Sequence, residues 1–76
     1  VAIRNKLKTL QHGIARTKER IAEFEKRASM SSAEFDKKLQ EGKLDETVET
    51  IDWNMELTAL RLLENQFQSL REAKSD

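Results

Sequence analysis

Few side chains in this sequence could do covalent or metal chemistry. His12 is the only histidine. A di-iron helical bundle needs a Glu-x-x-His motif on each of two helices, but Thr9 stands three residues before His12 and no second histidine exists. A Ser-His-Asp arrangement would need His12 beside an activated serine, and no strand–turn–helix elbow is visible to present one. The two glycines, Gly13 and Gly42, are too far apart for a phosphate-cradling loop. Absence of cysteine excludes disulfides and thiolate metal sites. Asp45, Glu46 and Glu49 could gather around a divalent ion. Acids at the start of a helix are more simply explained by the favourable field of its dipole. The expectation is a protein that is not an enzyme and holds no cofactor and no metal.

Nucleic-acid binding has one feature in its favour. Residues 1–28 carry eight cations against three acids, a basic stretch around Arg16, Lys18, Arg20, Lys26 and Arg27. No stacking aromatics or groove-entering motif accompany it. Residues 29–76 carry six cations against eleven acids, so a basic first half can fold back on an acidic second half. Glu19, Glu23 and Glu25 interrupt what would otherwise be a cationic membrane-surface face. No apolar run is long enough to cross a bilayer and there is no basic-then-apolar leader, so the expected compartment is the cytoplasm.

The elements follow from spacing. Ile3, Leu7, Leu10, Ile14, Thr17, Ile21, Phe24 and Ala28 alternate by four and three, a heptad seam that predicts one helix over 2–28. Thr17 within that seam either sets register or bonds to its own backbone. Ser31 with Glu34 forms a capping box, and Met30 with Phe35 has the spacing of a hydrophobic staple. These open a short helix over about 32–41, which Gly42 ends. Asp45 is the expected cap of a second long helix over about 46–73.

That last helix carries two apolar stripes. Val48, Ile51, Met55, Ala59, Leu62, Leu70 and Ala73 form one; Trp53, Leu57, Leu60, Leu63 and Phe67 form the other. One packing contact buries only about a third of a helix circumference, so a lone hairpin leaves one stripe in water. The fold expectation is therefore all-α: a long antiparallel hairpin with a short connecting helix, one domain over 1–76, dimerising into a four-helix bundle or coiled coil. Trp53, Leu57, Leu60, Leu63, Phe67, Phe35 and Leu44 are the expected partner or dimer interface. Trp53 has a second reading, as core beneath the short helix against Phe35 or Leu39.

One stretch resembles a family. Met30-Ser31-Ser32-x-Glu34-Phe35, then Gly42-x-Leu44, then an acidic run ending in Asp52-Trp53, is similar to a pattern in small helical antitoxin-like proteins of prokaryotic toxin–antitoxin gene pairs. It covers residues 30–53. Where family members carry more aromatics before the tryptophan, this chain has Val48 and Ile51. The resemblance implies a cytoplasmic protein that lays its helices on a toxin-like partner, with Phe35, Leu44 and Trp53 as contact or fold-defining positions. Beside this antitoxin-like inhibitor stand a structural coiled-coil adaptor that self-assembles and, third, a nucleic-acid-binding accessory protein.

Overall fold

The computed structural model describes the backbone of residues 2–74 and the side chains of residues 4–72. Ile3 and Ala73, at the ends of the expected seam and stripe, have side chains outside that range. Every described element is a helix: α1 (Ala2–Ala28), α2 (Ser32–Gln40) and α3 (Val48–Lys74). The two long helices pack against each other along their length. The long axis measures 45 Å, close to the roughly 40 Å that 27 residues of helix span.

Residues of the α1 seam bury against α3: Leu10, Thr17 and Ile21 are buried, and Leu7, Ile14 and Phe24 half-buried. Thr17 takes the local option. Its hydroxyl donates to the Gly13 carbonyl at 2.8 Å, which lets a polar residue sit in the seam with its donor satisfied. Gly13 faces the Leu63 side chain across the interface. Beside the seam, cations of α1 meet acids of α3: Arg20 Nε lies 2.9 Å from Glu56 Oε2, Arg27 Nε 3.7 Å from Glu49 Oε1, and Lys18 Nζ 4.0 Å from Glu64 Oε2. The opposed charge of the two halves is thus used inside the chain.

The turn between α1 and α2 is tightly specified. Ser29 adopts φ 52°, a left-handed conformation. It sets up a Schellman closure in which the Met30 amide donates to the Glu25 carbonyl and the Ser29 amide to the Lys26 carbonyl. The Ser31 hydroxyl accepts from the Glu34 amide at 3.1 Å, as the capping box requires. The reciprocal half differs from expectation: the Glu34 carboxylate turns to Lys38 rather than back to the Ser31 amide, and Glu25 of α1 accepts from the next amide, that of Ser32, at 2.8 Å. Gly42, at φ 69°, ends α2 by the same Schellman pattern, with the Lys43 amide donating to the Lys38 carbonyl.

Helix α3 starts two residues later than Asp45 would place it. Thr47 and Thr50 form the capping pair: the Thr50 amide donates to Thr47 Oγ1 at 3.2 Å, and the Thr47 amide donates to Thr50 Oγ1 at 2.8 Å. Each hydroxyl satisfies an amide that the helix start leaves open. The Asp45 carbonyl accepts from the Thr50 hydroxyl.

Candidate interaction surface

The residues expected to face a partner divide into two groups. Trp53 and Phe35 are core, 3% and 1% exposed. Phe35 stacks on Trp53 with ring centroids 4.0 Å apart and planes 11° from parallel; Phe24 stacks on it at 5.8 Å and 8°. Arg27 lies over the Phe24 ring at 5.1 Å. The indole N–H donates to Ser32 Oγ at 3.1 Å. Burial of a tryptophan is favourable when its one polar atom finds an acceptor, and here all three helices supply the surroundings. Leu44 is half-buried and lines the same cleft as Met30, Phe35 and Trp53. The three residues singled out by the family resemblance are therefore brought together at one buried aromatic cluster, and neither Phe35 nor Trp53 presents a surface outward.

Leu57, Leu60, Leu63 and Phe67 are half-buried, and Leu63 faces Gly13 of α1. The expected choice of stripe is corrected by this arrangement. The stripe left in water is the other one: Val48 is 77% exposed, Ile51 47%, Met55 63% and Leu62 59%. The reason is register. Trp53 meets Phe24 and Phe35 in the buried cluster, which turns its stripe inward, and Glu49, Glu56 and Glu64 then lie within reach of Arg27, Arg20 and Lys18.

The uncovered stripe belongs to a wider face. Projected at about 100° per residue, Asn54, Met55, Thr58, Ala59, Leu62, Asn65, Gln66, Ser69 and Leu70 fall on one contiguous arc of α3. No charged residue projects onto that arc between 53 and 71, in a chain of which 37% is charged. All nine are exposed except Ala59 and Leu70, which are half-buried.

This face forms one wall of a groove that runs along the hairpin. Near the α1 N-terminus its walls are Lys6 and Leu10 against Leu62, Gln66 and Leu70, with about 510 Å³ of open groove between them. It continues past Gly13, Arg16 and Thr17 opposite Ala59 and Leu63, and reaches Phe24 and Arg27 opposite Asp52 and Met55. None of these lining residues comes from α2, which packs on the other side of α3 through Phe35. Sequence reasoning had the stripe but not the run of uncharged positions flanking it, which the composition already contains.

His12 is exposed on α1. Among the described residues no group of three or more His, Cys, Asp or Glu side chains is placed to hold a metal ion, and no helix is long and apolar enough to cross a membrane. No family model, no curated protein and no solved structure matches the chain.

Proposed function

We propose that this chain is a non-enzymatic protein–protein interaction module that takes up a helix of a polypeptide partner along the uncharged face of α3. One observation carries the reading: nine positions of a solvent-facing helix without a charge, in a chain where more than one residue in three is charged. A helix face meant for water alone carries charged and polar residues. Depletion of charge around exposed Met and Leu is the composition of an interface core. The face runs from Asn54 to Leu70, about 24 Å at 1.5 Å per residue, enough to seat four turns of a second helix.

The antitoxin-like resemblance over residues 30–53 adds a form to this reading, an inhibitor that masks a toxin-like partner. In that form Phe35 and Trp53 build the scaffold, and contact falls to Met55, Ala59 and Leu62. A nucleic-acid role is less favoured, because Lys18, Arg20 and Arg27 are engaged with acids of α3. Co-expression of the chain with the products of its neighbouring genes tests the inhibitor form. The expected result is a stoichiometric complex that is lost when Met55→Lys and Leu62→Glu are combined. A complex indifferent to both substitutions would overturn the assignment to this face, and the absence of any complex would remove the inhibitor form.

A further inference from the structure

The distribution of charge along the hairpin bears on what covers the uncharged face. Residues 17–59, the half that contains the α1–α2–α3 turns, carry seven cations against eleven acids. Residues 4–16 and 60–72, the open half, carry six cations against two acids. The molecule is thus a rod with about −4 on one half and about +4 on the other. Two further facts sharpen this. Lys6 and Arg16 line the groove in the basic half, and Asp52 lines it in the acidic half. None of the three makes an ion pair among the described residues.

We propose that the occupant of this face is a second copy of the chain, docked antiparallel about a two-fold axis near Ala59; the inference rests on the docking face proposed above and names its partner. The antiparallel orientation sets each basic half against an acidic half, whereas a parallel one sets like against like. Centring on Ala59 brings Met55 of one copy near the level of Leu62 of the other, so the exposed side chains cover each other while the small Ala59 permits close approach at the axis. It also places Asp52 level with residue 66 of the second copy. Within the chain, Gly13 stands opposite Leu63 and Arg20 opposite Glu56, so residue 66 is level with residue 10, between Lys6 and Arg16. The unpaired acid of one copy therefore comes within reach of the unpaired cations of the other. The interface is self-complementary, as two-fold association requires, and yields a four-helix bundle.

The test is sedimentation of the full chain over a wide concentration range, with inter-copy distances measured on a spin label. The chain has no cysteine, so Gln68→Cys gives one labelled site, exposed and outside the docking arc. Two antiparallel copies place the two labels about 30 Å apart, from eighteen residues of rise plus the spacing between helices. Parallel copies place them under about 20 Å. The expected result is a dimer with the long distance, weakened by added salt, and weakened at least about thirtyfold by Met55→Lys with helicity unchanged. A monomer at 100-fold above micromolar concentration (about 100 µM, the weak end of specific association), a dimer indifferent to Met55→Lys, or the short distance would each overturn the proposal. If the chain is monomeric but a neighbour's product binds and is displaced by Met55→Lys, the docking face stands and the second copy falls.

Discussion

The two ends of α3 pack against very different surroundings. Around Trp53, three helices converge, two phenylalanine rings stack on the indole, and its N–H has an acceptor. Two turns further on, the same helix has only α1 beside it, and Leu62 lies mostly in water. Both places are apolar in sequence. What separates them is α2: nine residues, held by a Schellman turn and a serine cap, that cover one side of one end of the hairpin. Beyond that end, the face of α3 around Met55 and Leu62 is left in water and carries no charge between residues 53 and 71.

Substitutions can break this contrast or sharpen it. The largest effect should come from Trp53→Ala, which removes the centre of the stack and should cost about 3–5 kcal/mol in urea unfolding. A loss below about 1 kcal/mol would mean that the aromatic cluster is not the folding centre. Ser32→Ala leaves the buried indole N–H without its acceptor and should cost about 1–3 kcal/mol by the same measurement. Trp53→Phe, which removes the donor, should make the serine change nearly silent. Gly13→Ala should raise stability by up to about 1 kcal/mol, because an added methyl would meet Leu63 at ordinary contact distance, 3.6 Å. At the other extreme, Met55→Lys should change the unfolding free energy of the dilute chain by no more than about 0.5 kcal/mol. A large loss there would show that the uncharged face is part of the monomer's own core.

Much of the architecture was legible in the residues. The heptad seam of α1, the serine cap and Gly42 all act locally, through spacing or backbone geometry, and local rules can be read without coordinates. Thr47 was missed as the α3 cap because two threonines three apart form a reciprocal pair less familiar than the Ser–Glu box, and Asp45 looked the stronger candidate. The choice between the two stripes of α3 was not decidable from hydrophobicity, since both carry comparable apolar bulk. It depends on rotation of α3 about its axis, which is set by partners distant in sequence: Phe24, Phe35 and the cations of α1. The charges held the answer. Glu49, Glu56 and Glu64 border the Trp53 stripe, where the basic residues of α1 can reach them, and no charge lies on the arc around Met55 and Leu62.

The position of the single tryptophan has a practical consequence. Its ring is enclosed where all three helices meet, on the side of α3 away from Met55 and Leu62. Its emission should shift to the red as the chain unfolds and stay nearly constant when a polypeptide settles on the far face. The molecule thus carries an intrinsic optical probe of collapse, and the docking proposed above can be separated from unfolding without attaching a dye.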